Sequence, residues 1–249
     1  MADLPKNRFK AAIQQFQIQR GIWCTIRDPL AAEMLADCGF DWLMFDTEHS
    51  AMDPITVLPM LQAVAPYAAT PIVRPGSLNP VEIKKLLDLG AQTILVPYVQ
   101  NAEEAALAVA SVTYPPEGIR GVSGLTRATR FARIPGYHKI ARQEICLIVQ
   151  VETVEALGKI EEIAAVPGID AIFVGPADLA ASLGHPGDAS QQVVKDAVID
   201  AIRRIRACGL PPGILTPDQS LYDAAIEAGA VFVSRDIDMA ALRKGLSPL

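Results

Sequence analysis

The chain has 249 residues, of which 51% are hydrophobic, and a formal net charge of −6. That length and apolar content suit one large core of the size usual for α/β barrels, and the lack of a basic cluster argues against nucleic acid as a partner. No apolar run approaches the ~20 residues of a membrane helix, Met1 to Arg20 carries scattered charges where a signal peptide needs an apolar centre, and Cys24, Cys38, Cys146 and Cys208 are far apart with no CxxC. The expectation is a soluble, cytoplasmic protein with no disulfides and no membrane contact.

Residues 1–20 read as an N-terminal extension packed on the domain that follows. Residues 21–26 are a first short strand, and Asp28-Pro29 offers an N-cap with proline at the first helical position, so a helix should run to about Cys38 and stop at Gly39. Residues 41–48 form the second strand, whose two-residue period puts Asp46 and Glu48 on one face, with His49 just past its end. Asp53-Pro54 opens a helix that ends near Tyr67. Thr70 to Arg74 is a third strand closed by Pro75-Gly76. Asn79, Pro80 and Glu82 read as a capping box for a helix ending at Gly90, residues 92–97 as a fourth strand, and Asn101 with Glu104 as a second capping box.

Residues 113–143 are the least regular stretch, with a turn at Tyr114-Pro115-Pro116-Glu117-Gly118 and a helix starting near Ile134. Leu147 to Glu152 and Ile172 to Val174 are apolar runs too short for helices, which marks strands buried on both faces. One helix and a turn should separate them, and a polar loop with Gly184, Pro186 and Gly187 should follow Asp178. A helix over 190–208, a seventh strand over 212–215, a third capping box at Thr216 to Gln219, an eighth strand over 231–234 and a short helix over 236–246 complete the chain.

Strands and helices thus alternate every ~20–30 residues, the length of a βα unit. Eight such units make a single (β/α)8 TIM barrel spanning the chain, whose chemistry sits at the C-terminal strand ends. A doubly wound open sheet is the alternative, weakened because no GxGxxG follows the first strand.

In a barrel, Asp46, Glu48, His49, Arg74, Gln150, Glu152 and Asp178 collect on one rim. Each has a plain explanation by itself: His49 as a loop histidine, Arg74 as cover for a carboxylate, Glu152 and Asp178 as acids that start the following helices. Together they are harder to dismiss, because buried charges cost several kcal/mol unless paired. Two carboxylates side by side repel unless a cation or a shared proton intervenes, and oxygen ligands suit a hard divalent ion. A Schiff-base aldolase is disfavoured because no lysine falls at a strand end. Phosphosugar chemistry is disfavoured because the loops after strands seven and eight lack glycine. Metal-assisted chemistry on a small anionic substrate remains.

Phe40-Asp41-Trp42-Leu43-Met44-Phe45-Asp46-Thr47-Glu48-His49, Pro71-Ile72-Val73-Arg74-Pro75, Tyr114 to Gly121, Val149-Gln150-Val151-Glu152-Thr153 and Gly175-Pro176-Ala177-Asp178-Leu179 together resemble the HpcH/HpaI aldolases, over about residues 20–235. These are class II, metal-dependent pyruvate aldolases of the 4-hydroxy-2-oxoheptanedioate and 2-keto-3-deoxy acid type. The resemblance implies a divalent metal (Mg²⁺, Mn²⁺ or Co²⁺) on Glu152 and Asp178. It implies His49 as base, assisted by Asp46, and Arg74 as stabiliser of developing negative charge. Gln150 and the backbone at Ala177 and Asp178 would hold the keto acid. Asp88 matches a position that approaches the histidine across a subunit contact, although a solvated helix end explains it equally well. A homohexamer is implied as well.

The activity so implied is reversible cleavage of 4-hydroxy-2-oxo acids to pyruvate, through an enolate, and an aldehyde. Two rival readings use the same barrel: a malyl- or citryl-CoA-type lyase, and a non-catalytic barrel that binds a metal–keto-acid complex. Residues 234–236, Ser-Arg-Asp, are more charged than the family pattern, and with Leu215 and Thr216 they make the choice of aldehyde the open point.

Overall fold

The computed structural model describes residues 2–246. Its strands are β1 (Gln19–Cys24), β2 (Trp42–Asp46), β3 (Thr70–Arg74), β4 (Thr93–Val96), β5 (Cys146–Val151), β6 (Ala171–Val174), β7 (Pro212–Leu215) and β8 (Phe232–Ile237). They close into a barrel in sequence order, and every neighbouring pair is parallel, β8 pairing back onto β1. The helices are α1 (Arg8–Gln14), α2 (Pro29–Asp37), α3 (Pro54–Ala63), α4 (Pro80–Asp88), α5 (Ala102–Val112), α6 (Tyr137–Glu144), α7 (Val154–Leu157), α8 (Ile160–Ala164), α9 (Pro176–Ser182), α10 (Gln192–Ala207), α11 (Gln219–Ala228) and α12 (Asp238–Gly245). The fold is a (β/α)8 TIM barrel, so the C-terminal strand ends form one rim.

Two apolar layers hold it. One lies between the strands and the surrounding helices, and the other fills the barrel itself. The interior is shaped by glycines opposite large rings. A β-carbon at Gly21 would stand 2.0 Å from the Trp42 ring, and one at Gly213 would stand 2.1 Å from the Phe232 ring. The N-terminal extension carries a helix, α1, whose Phe9 and Ile13 are fully buried against this interior. Phe9 meets Phe232 edge-on at 5.5 Å between centroids. Asn7 caps α1 and bonds to Thr93 Oγ1 at 2.9 Å, while Lys10 donates to Ile145 O at 2.7 Å and pairs with Asp170 at 3.1 Å. These contacts close the end of the barrel opposite the rim.

The local expectations need four corrections. Residues 153–167 form two short helices, α7 and α8, broken at Gly158-Lys159. The stretch from Pro176 is a helix before it becomes a loop, so Asp178 belongs to the first turn of α9. The three capping boxes are incomplete: Glu82 accepts from Gly76 N, Glu104 accepts from Gln100 N, and α11 is capped by Asp218 rather than Thr216. The helix placed from Ile134 begins at Tyr137.

Candidate active site

Asp46 and Arg74 are register partners at the ends of β2 and β3. The guanidinium reaches the carboxylate with Nε to Oδ1 at 2.9 Å and Nη2 to Oδ2 at 2.6 Å, both residues buried. This two-point geometry is the strong form of a charge-assisted contact. Trp23, at the exit of β1, donates its indole N–H to Asp46 Oδ2 at 3.2 Å and lies 5.0 Å beneath the Arg74 guanidinium. The amide of Glu48 adds a bond to Asp46 Oδ1 at 3.0 Å. Burial raises the Asp46 carboxyl, but the Arg74 contacts and the other donors outweigh it and hold the group below the usual range. Asp46 therefore stays ionised and acts as the anchor of Arg74.

The third guanidinium nitrogen, Nη1, stands 2.9 Å from Glu48 Oε2. Burial is the largest influence on Glu48 and raises it in spite of Arg74 and His49. His49 stands at the edge with its side chain 64% exposed, its Nε2 3.8 Å from the same Glu48 oxygen. Asp46 touches His49 only at the backbone amide, at 3.4 Å, so the acid beside the imidazole is Glu48. The ends of β2 and β3 are tied by Thr47, whose hydroxyl donates to Arg74 O at 2.6 Å.

Across the barrel, β5 delivers Gln150 and Glu152, both 2% exposed. Gln150 Nε2 donates to Glu152 Oε2, and the Tyr98 amide donates to Glu152 Oε1 at 2.8 Å. A β-carbon at Gly175 would lie 2.6 Å from Glu152 Oε2 and 3.1 Å from Gln150 Nε2, so the bare glycine after β6 makes the room that both side chains occupy. Asp178 follows at the rim, exposed, in the first turn of α9 beside Ala177. Burial pushes the Glu152 carboxyl up to about 7, against the hydrogen bond from Gln150 and with added repulsion from Asp178 and Glu48. Carboxylates of three residues therefore share this part of the rim.

The donor set suits a hard dication. It consists of carboxylate and amide oxygens, Gln150 Oε1 is buried with no hydrogen-bond partner, and Glu152 carries a repulsion that a cation would relieve. Among the described residues no cluster of three or more His, Cys, Asp or Glu forms a metal site. The carboxylates that could hold such an ion are those of Glu152 and Asp178, with the unpartnered Gln150 Oε1 beside Glu152.

The fold brings Asp46, His49, Arg74, Gln150, Glu152, Ala177 and Asp178 to one rim. It does not bring Asp88 there. Asp88 ends α4 at the opposite end of the barrel, where it pairs with the fully buried Arg120 at 3.0 Å. Trp23, Tyr98 and Gly175 are parts of the site that the sequence did not flag. Only Gly175 carried a signal, since it precedes proline in a stretch already singled out.

Comparisons with known proteins bear on the family and the fold. Residues 19–244 match the profile of the family described as HpcH/HpaI aldolase/citrate lyase. The chain is 55% identical to a pyruvate aldolase of Rhizobium etli, over 99% of this chain and 97% of the relative. It is 48% identical to a 4-hydroxy-2-oxo-heptane-1,7-dioate aldolase of Klebsiella pneumoniae, over 98% and 92%. A crystal structure of an HpcH/HpaI aldolase/citrate lyase family protein from Burkholderia cenocepacia superposes with a TM-score of 0.93 at 35% identity, covering 96% of each chain. With fold and sequence in accord, the chain belongs to the HpcH/HpaI aldolase/citrate lyase family.

Proposed function

We propose that this protein is a divalent-metal-dependent class II aldolase that reversibly cleaves 4-hydroxy-2-oxo acids to pyruvate and an aldehyde. The observation that carries the reading is the pairing of two half-sites on one rim. Glu152 with Gln150 and Asp178 gathers hard oxygens, and Arg74 and His49 flank the nearby Glu48. The aldolase names of relatives at 48–55% identity support the reaction class.

Glu152 and Asp178 would hold Mg²⁺, Mn²⁺ or Co²⁺, which supplies Lewis-acid polarisation of the keto group. His49, solvent-facing beside Glu48, accepts the proton of the C4 hydroxyl, directly or through water. The C3–C4 bond then breaks, the aldehyde departs, and the bonding pair remains on C3 as the enolate of pyruvate. Arg74 stabilises that charge. Two of its five N–H groups are bonded to Asp46 and Nη1 makes only a charge contact with Glu48 at 2.9 Å, which leaves N–H groups for substrate oxygen. Gln150 lines the keto-acid position from β5, and the first-turn amides at Ala177 and Asp178 would donate to the carboxylate. Proton return to C3 gives pyruvate. The same reading carries a cytoplasmic location and a homohexamer in which Asp88 of one copy approaches His49 of another.

A pyruvate-release screen tests it, run over a panel of 4-hydroxy-2-oxo acids and CoA thioesters with several divalent ions. Metal-stimulated pyruvate release from free oxo acids is expected. Turnover confined to CoA thioesters would assign the barrel to the lyase chemistry instead, and no turnover of either would leave a binding protein.

A further inference from the structure

Tyr98 lies two residues past β4 and has φ +56°, a left-handed conformation open to glycine but unusual for a residue with a β-carbon. Its neighbours hold it there. Val99 N donates to Gln150 O at 3.0 Å, Gln100 Nε2 donates to Tyr98 O at 3.2 Å, and Gln100 N donates to Glu104 Oε2 at 2.8 Å. The Thr153 hydroxyl donates to Gln100 Oε1 and fastens the same turn to the exit of β5. Unfavourable backbone that persists because its surroundings over-determine it is concentrated at functional sites.

What this turn delivers is an amide. Tyr98 N–H stands 2.8 Å from Glu152 Oε1. The ring has no part in that contact: it is 58% exposed, and among the described residues its hydroxyl has no hydrogen-bond partner. Glu152 Oε2 lies instead over Gly175 and meets Gln150. One oxygen is tethered to the β4 exit, and the other, bonded to Gln150, lies on the side of β6 and α9, where Asp178 sits.

We infer that Tyr98 is a positioning residue whose left-handed turn, rather than its phenol ring, aims Glu152 at the cation. The inference rests on the metal-dependent reading above. It assigns Oε1 to the Tyr98 turn and leaves Oε2, which accepts from Gln150, on the side of β6 and α9. It also predicts a substitution pattern opposite to that of a ring that touches substrate. Glycine, which removes the ring but accepts the turn, is tolerated. Valine, β-branched and disfavoured at positive φ, is not.

The test is direct Mn²⁺ binding to the full chain, read from the electron paramagnetic resonance signal of free Mn²⁺, for wild type, Y98G, Y98A, Y98V and E152Q. Circular dichroism and melting temperature establish that each variant is folded. Y98G should keep the wild-type dissociation constant within about twofold, and Y98V should weaken it by roughly tenfold or more, as loss of an outer-shell partner does. Y98A should fall between them and is the variant read if Y98V fails to fold. Equal losses in Y98G and Y98V would show that the ring matters and overturn the inference. So would a Y98V protein, or failing that a Y98A protein, that binds like wild type while E152Q does not. A wild type that binds no Mn²⁺, or an E152Q that binds it normally, would overturn the metal reading and this inference with it.

Discussion

Glu152 and Gly175 approach so closely that a β-carbon at position 175 would stand 2.6 Å from the Glu152 carboxylate and 2.9 Å from its Cβ. The space above β6 is thus reserved for an acid delivered by β5. Gly175→Ala should displace Glu152 and Gln150 together. We expect Mn²⁺ affinity to fall roughly 10–100-fold, the range for lost support of a metal ligand. Calorimetric titration checks this, and unchanged affinity would mean that Glu152 can move without loss.

Arg74 is held by Asp46 through two nitrogens and by Glu48 through the third. A lysine at this position cannot reproduce that fork. Arg74→Lys should lower kcat by about 10²-fold or more, consistent with loss of one preorganised charge stabiliser. Steady-state pyruvate release measures it. Near-normal turnover would reduce Arg74 to a generic positive charge.

His49 has a side chain 64% exposed that approaches Glu48 at 3.8 Å, so removing it should spare the fold. His49→Ala is expected to lower kcat by roughly 10²–10⁴-fold, the range for a lost acid–base group, with an unchanged melting temperature. A change below about threefold would make His49 a bystander.

Glu152 carries a prediction about pH. Its folded carboxyl is raised from 4.5 to about 7, with burial as the main cause. Between those values the folded metal-free protein binds more protons than the unfolded chain, so its stability falls as pH rises through that window. The loss should be on the order of 1–3 kcal/mol. Denaturant unfolding of the metal-free protein at about pH 5.5 and 7.5 should show it, and Glu152→Gln should remove most of the difference. A wild-type profile identical to that of E152Q would contradict the burial argument.

Much of this architecture was legible in the residues, for reasons that differ from element to element. Thr70 to Arg74 and Pro212 to Leu215 read as strands because short apolar runs bounded by turn residues leave no room for a helix. Asp28-Pro29 and Asp53-Pro54 marked helix starts because the cap and the proline act locally, and both acids accept the expected amides. Residues 113–136 resisted because distant partners hold them. Arg127 donates to Leu61 O and Leu89 O, Ala128 N donates to Asp88 O, and Arg130, Phe131 and Ala132 all have positive φ. The charged half of the site was visible because charged residues at strand ends are conspicuous. Trp23 and Tyr98 were not, since one acts through an indole N–H on the neighbouring strand and the other through its backbone. Asp88 was drawn in by the family pattern, and the fold of one chain sets it at the far end from His49.

The most direct measurement is pyruvate release from a 4-hydroxy-2-oxo acid by protein stripped with EDTA, before and after Mn²⁺ is returned, for wild type and Glu152→Gln. The account predicts loss of wild-type turnover on stripping, its restoration by Mn²⁺, and no restoration in E152Q. Chelator-resistant turnover, or an E152Q enzyme that Mn²⁺ reactivates to the wild-type rate, would contradict it.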